Sequence, residues 1–334
     1  MAICSKLNKK VRKKVVLLPD GLTDPKTMIN RALIRLKVVQ VIYAYYQNGA
    51  QKPSSAGLEL ARSLDSAYSL YKTLLYLPVA ISGLARKSVA RQKRMNETHI
   101  SRKEELLAEN KFIAQLESNL QLMEYVRDND FEWLLSSDYI KETCEGILKS
   151  DAMEEYWQEE KFDYEADKEL CKKIYKEFVE NSDALDCLLE EQDIYWNGDK
   201  ELIDSFVMKT MRSFAENSGP QQPLQSEFKD EEDRQFALDL LDKGLAAADM
   251  REKAVNANCR RWDPSRLAFL DVIIIQVALA EIMGFPNIPL KVSINEYVEL
   301  AKLLSTPASG SFVNGMLDTI IKDMKAGGEL TKEL

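Results

Sequence analysis

VIIIQVALA, residues Val272–Ala280, has a single polar side chain, Gln276, and is closed at both ends by carboxylates, Asp271 and Glu281. A membrane-spanning helix needs roughly 20 apolar residues, so this run is too short to be one. Its length and flanks predict a helix over Ser265–Met283 that is buried on most of its circumference and forms the central rod of a helical domain. It lies within Trp262–Ile320, the least polar and most helix-punctuated part of the chain.

On the C-terminal side, Gly284–Pro289 breaks the pattern with two prolines. Ser293-Ile294-Asn295-Glu296 reads as a capping box that opens a helix running to Leu304, and Thr306-Pro307 ends it. Ser309-Gly310-Ser311 then starts a helix carrying Phe312, Val313, Met316, Leu317 and Ile320. No acidic residue lies between Glu299 and Asp318, so this helix start is either an ordinary cap or a seat for a phosphate.

On the N-terminal side, Asp230–Asn258 is helical, and Met208–Glu227, with Gly219-Pro220 and Pro223, reads as the clearest internal linker. Asp167–Trp196 predicts two amphipathic helices broken near Asn181-Ser182-Asp183. Ser101–Gln158 reads as charged surface helices, without the spacing of a calcium loop in its acidic clusters. A helix over Leu58–Leu77 precedes Pro78, and another from Val79 ends in Arg86, Lys87, Arg91, Lys93 and Arg94. That basic run is either a solvated face or a contact with an RNA backbone. Met28–Gln47 carries Ile34, Val38, Val41, Ile42 and Tyr45 on one helical stripe, with Arg31 and Arg35 on another, and Asn48-Gly49 stops it. Residues 1–27 read as a flexible basic arm, and Met28 is an alternative start.

The 334 residues are 30% charged with net charge −9, and the charge is segregated. Residues 1–96 hold 18 Lys/Arg against 4 Asp/Glu, net +14; residues 97–258 hold 19 against 41, net −22; the rest hold 8 against 9, net −1. A basic first third in an acidic protein points to a polyanionic partner, of which nucleic acid is the commonest. The single histidine, His99, and five cysteines without close pairing exclude a zinc site or a histidine-based triad and fit a reducing cytoplasm.

Several of these segments resemble the NusB family of bacterial transcription antitermination factors. The likeness rests on Trp262–Ile282, Ile288-Pro289-Leu290-Lys291-Val292-Ser293-Ile294-Asn295-Glu296, Leu300-Ala301-Lys302 and Phe312-Val313-Asn314-Gly315-Met316-Leu317-Asp318. The first helix is similar to that family's Arg-rich first helix, through Arg31, Arg35 and Val39-Gln40-Val41-Ile42-Tyr43, and Lys168–Trp196 is more weakly similar to the helix pair that follows it. The chain departs at Ala32 and Leu33, where the family has a denser arginine cluster, and at Ala308, where it often has an acidic residue. Lys6–Lys14 or Arg86–Arg94 are the candidates to replace that charge.

The resemblance implies an all-α, NusB-like helical bundle of two subdomains with additional inserted helices. On this reading residues 1–27 are a basic extension, 28–49 the first NusB-like helix, 50–162 an inserted charged helical region and 163–197 a NusB-like helix pair. Residues 198–256 are an inserted linker and helix, 257–325 the C-terminal core and 326–334 a tail. It further implies a cytoplasmic, non-enzymatic protein without cofactor or metal that binds boxA-type single-stranded RNA together with NusE, a small-subunit ribosomal protein. Through them it would meet the RNA polymerase complex and support transcription of ribosomal RNA operons, with no membrane or small-molecule partner. Carried over by position, the RNA contacts are Arg31, Arg35, Gln40, Ser309, Ser311 and Phe312, with Tyr43 beside them. Tyr43 and Phe312 either read unstacked bases or pack in the core.

Two other functional classes make different demands on the sequence. An RNA-modifying enzyme needs a Gly-rich cofactor loop after a strand and a catalytic cysteine motif, and the sequence has neither. A protein-interaction scaffold using the acidic middle region, without sequence-specific RNA binding, is the alternative.

Overall fold

The computed structural model describes residues 27–50, 52–95, 101–196, 198–258, 267–306 and 308–332. The basic arm, His99 and the segment holding Trp262 and Ser265 lie outside these. In chain order the elements are strand β1 (Thr27–Ile29) and helices α1 (Arg31–Gln47), α2 (Pro53–Arg94), α3 (Arg102–Ala108), α4 (Lys111–Ser118), α5 (Leu120–Asp128), α6 (Glu132–Leu135), α7 (Asp138–Lys149), α8 (Asp151–Trp157) and α9 (Tyr164–Tyr175). A π-turn (Lys176–Glu180), α10 (Asp183–Gln192), α11 (Lys200–Ser213), strand β2 (Ser226–Phe228), α12 (Glu231–Ala246), α13 (Ala248–Asn258), α14 (Phe269–Gly284), α15 (Leu290–Leu304) and α16 (Ser309–Ala326) follow. The architecture is all-α, with β1 and β2 pairing as one short ribbon. None of the described helices is long and apolar enough to cross a membrane.

The chain divides into two compact units, residues 1–65 with 227–334, and residues 66–226. In the first, α14 is the rod against which α1, α12, α13, α15 and α16 all pack. Val272 to Ile275 are β-branched and favour a strand locally. A helix wins because it buries the run on every side: Ile273, Ile274, Ile275, Val277, Ala278, Leu279 and Ile282 have no exposed surface. Each fully buried Ile, Val or Leu contributes about 1.5–3 kcal/mol. Gln276 is tolerated there because its amide is satisfied. It donates to the Gly244 carbonyl (2.6 Å) and the Tyr46 hydroxyl (3.1 Å), and its oxygen accepts from Arg251 (3.0 Å). Helices α12 and α1 approach so closely that a Cβ on Gly244 would lie 2.6 Å from Ile42 Cδ1.

In the second unit, α2 from Ser66 onward packs with α3–α11 around Tyr71, Phe112, Tyr175 and Phe206, all fully buried.

Several boundaries differ from those the sequence predicts. Helix α1 begins at Arg31, because Met28 and Ile29 pair as a strand and Asn30 caps the helix by accepting from the Leu33 amide (2.9 Å). Pro78 does not divide two helices. It sits inside the 42-residue α2, where Leu74, Leu75 and Leu77 are fully buried and their burial outweighs the lost backbone donor. The Ser293 capping box is not formed. Helix α15 starts at Leu290 with Pro289 as its cap, and the Ser293 hydroxyl, inside the helix, donates to Glu281 (2.7 Å). The segment after α11 is no loose linker. Gln115 donates to the carbonyls of Ala215 and Ser218, Asn119 to that of Gln222, and the Leu120 amide to that of Pro220. Likewise α12, which lies within the residues that read as inserted, packs between α1 and α14 in the core of the first unit.

Candidate nucleic-acid interface

The predicted site residues on α1 and α16 separate toward the two ends of α14. At its N-terminal end, the Phe269 ring lies 5.6 Å from Tyr43 and 6.1 Å from Tyr46, centroid to centroid. Two residues on, Asp271 accepts a hydrogen bond from the Ser309 hydroxyl (2.9 Å). The C-terminal half of α1 and the first turn of α16 therefore both seat on the first turn of α14. Gln40 precedes Tyr43 by three residues, hence on the same face of α1, and both are half-buried. Ser311 is exposed and Phe312 half-buried. Ser309 itself is buried: besides Asp271 it bonds Thr306 (amide 3.2 Å, hydroxyl 2.8 Å) and Ser305 (3.0 Å). It is the internal anchor of the α16 start, which leaves Ser311 and Phe312 as the accessible members of that turn.

Four further side chains complete this end, and none of them is among the residues the sequence predicts for it. Phe269 and Tyr46 extend the aromatic surface around Tyr43. Arg251 lies 5.7 Å from the Tyr46 ring. The Lys302 stem packs over Gly310, where a Cβ would stand 2.6 Å from Lys302 Cγ. The signal available for them was weak: consecutive tyrosines at Tyr45 and Tyr46, and a glycine at the second position of α16.

Arg31 and Arg35 lie toward the other end. Glu281 is ten residues past Asp271, about 15 Å along the α14 axis at the usual helical rise. Arg35, only 4% exposed, grips Glu281 with two parallel bonds (Nε to Oε2 2.7 Å, Nη2 to Oε1 2.9 Å) and also donates to Glu296 (3.3 Å). Ser293 and Tyr297 donate to the same Glu281 carboxylate, which has no exposed surface. Burial alone would destabilise the Arg35 cation, but the bonds to Glu281 and its charge win, so the guanidinium is held above its ordinary pKa. Burial pushes the Glu296 carboxyl up, against the pull of Arg35. Arg35 is thus committed to internal carboxylates and is withdrawn from the expected RNA contacts. Arg31 is 40% exposed; it bonds Asp233 (2.8 Å), nears Glu232 (3.8 Å) and stacks over Phe236 (5.0 Å).

The basic end of α2 belongs to the second unit. There Arg86 pairs with Glu117 and Lys93 with Glu105, while Lys87, Arg91 and Arg94 are exposed. Among the described residues no group of three or more His, Cys, Asp or Glu could hold a metal ion.

The model of the NusB family matches residues 205–322, from α11 into α16. Among relatives described as transcription antitermination protein NusB, that of Salinibacter ruber is 33% identical over 132 residues, 38% of this chain and 82% of the relative. That of Koribacter versatilis is 37% identical over 97 residues, 29% of this chain and 66% of the relative. That of Methylacidiphilum infernorum is 46% identical over 72 residues, 22% of this chain and 50% of the relative. No solved structure matches the chain. With a core built on α14 and most of a relative's length aligned at this identity, the chain belongs to the NusB family.

Proposed function

We propose that this protein is a transcription antitermination factor that acts by binding rather than catalysis, and that its first unit takes single-stranded, boxA-type RNA at the N-terminal end of α14, together with NusE. The observation that carries this reading is the common seat of Tyr43 and the α16 start on the first turn of α14. Unstacked bases would lie on the rings of Tyr43, Tyr46 and Phe312, and the sugar-phosphate backbone would meet the α16 start with Ser311 and Lys302. No acidic residue lies between Glu299 and Asp318 in the sequence, and Lys302, which also pairs with Glu299 (2.6 Å), brings a cation beside the α16 start. Arg31 adds a cation for a polyanion but reads no sequence. In the second unit the exposed Lys87, Arg91 and Arg94 are separate candidates for backbone contact.

The test is titration of a boxA oligonucleotide with and without NusE. Tyr43→Ala and Phe312→Ala are each expected to weaken binding by roughly tenfold or more, the scale of losing one stacked base. Unchanged affinity in both variants, with circular dichroism unaltered, overturns the reading.

A further inference from the structure

The second unit holds a half-open cavity of about 270 Å³. Four rings run continuously along it. Tyr125 meets Phe131 edge-on (5.8 Å), Phe131 stacks on Trp133 (6.3 Å, 26°), and Trp133 is tilted against Trp196 (6.1 Å, 48°). Two carboxylates, Asp130 and Asp193, share the lining. Hydrogen bonds hold the walls. Trp196 Nε1 donates to the Ser66 carbonyl (3.0 Å), and the Tyr125 hydroxyl bonds the Ser69 (2.6 Å) and Thr73 (3.0 Å) hydroxyls. Asp193 accepts from the Ser66 hydroxyl (2.8 Å) and the Tyr195 amide (2.9 Å), and Asp130 from the Glu132 amide (2.8 Å). The lining residues include no lysine or arginine.

Such a site selects by charge and shape. Indole faces attract cations more strongly than other rings, and two nearby carboxylates add to that attraction. The same unit already shows the chemistry at its edge, where Lys72 Nζ lies 4.2 Å from the Tyr125 ring centroid. A phosphate-bearing chain is disfavoured, because Asp130 and Asp193 face it and residues 97–258 hold 41 acidic against 19 basic side chains. The volume falls just below the 300–1,000 Å³ of typical small-molecule sites, which suits a single long side chain rather than a cofactor. Guanidinium is planar, stacks on aromatic faces and offers a fork of donors to carboxylates, where ammonium offers a compact point charge. We infer that this cavity docks an arginine side chain of a basic protein partner, through residues other than those proposed to bind RNA.

The experiment uses the full chain and the blocked tripeptide acetyl-Gly-Arg-Gly-amide, titrated by tryptophan fluorescence and calorimetry, beside its uncharged citrulline counterpart and the lysine peptide. The arginine peptide is expected to bind, with the citrulline peptide at least roughly tenfold weaker and the lysine peptide between them. Trp133→Ala, and separately Asp130→Asn at an exposed position that does not threaten folding, should each weaken the arginine peptide by about tenfold while leaving RNA affinity unchanged. Equal binding of the arginine and citrulline peptides, or unaltered affinity in Asp130→Asn and Trp133→Ala, overturns the assignment. Displacement of the peptide by a single-stranded RNA oligonucleotide also overturns it and makes the cavity a base-binding site.

Discussion

Two arginines four residues apart on one helix have different surroundings, and sequence spacing alone did not separate them. Arg35 faces Glu281, Glu296 and Tyr297 in the interior, whereas Arg31 is at the edge with Asp233. Arg35→Ala leaves the Glu281 carboxylate buried without its main cation, a change that costs about 3–5 kcal/mol for such pairs. Urea unfolding is therefore expected to show a large drop in stability for Arg35→Ala, whereas Arg31→Ala should lower it by less than about 1 kcal/mol. Asp204 shows the same distinction in the second unit. It accepts from Tyr175 (2.6 Å) and Lys200 (3.0 Å), yet burial outweighs these bonds and raises its pKa to about 6. The folded state then holds a proton that the unfolded state releases near pH 4, so this group's contribution is full below about pH 4 and is lost as pH rises toward 6. Comparing unfolding midpoints from pH 4 to 7, Asp204→Asn should lack that loss, and identical pH profiles would remove Asp204 as its source.

At the scale of elements, fit between helices matters more than their propensities. Alanine has a better helix propensity than glycine, so Gly244→Ala would stabilise an isolated α12. In the fold its methyl group would stand 2.6 Å from Ile42 Cδ1, so overpacking is expected to reverse the sign and cost about 1–3 kcal/mol. Thermal unfolding decides between the two, and a raised midpoint would mean that α1 yields without strain. The α16 start follows the same logic. Its serines suggest a cap, but Ser309 points inward to Asp271 and no side chain caps the helix from Ala308. Ser309→Ala should therefore lower stability by about 1–3 kcal/mol through the Asp271 oxygen it leaves unsatisfied, and it should affect RNA binding less than Phe312→Ala does.

For the whole molecule, the opposed charges of the first third and the middle imply partners of opposite sign. RNA affinity should fall as salt rises, with a slope set by the number of phosphates neutralised. Replacing Lys87, Arg91 and Arg94 together by Ala should shallow that slope by up to roughly three units if the end of α2 touches the backbone. An unchanged slope would make it a solvated face. The all-α class and the rod at Val272–Ala280 were legible in the sequence, because composition and hydrophobic period report burial directly. So was the family, through Val292–Glu296 and Phe312–Asp318. Partner choice among buried polar groups was not legible: Ser293 reads as a cap beside Glu296 and becomes a ligand of Glu281 only when α15 packs on α14. Nor were the placement of α12 in the core, the continuity of α2 through Pro78, or the four rings of Tyr125, Phe131, Trp133 and Trp196, whose members lie up to 71 positions apart. Local sequence determines which segments must be buried, because that follows from each segment's own apolar content. Which polar groups meet, and which are left facing solvent, depends on contacts between distant segments, and only the tertiary structure decides it.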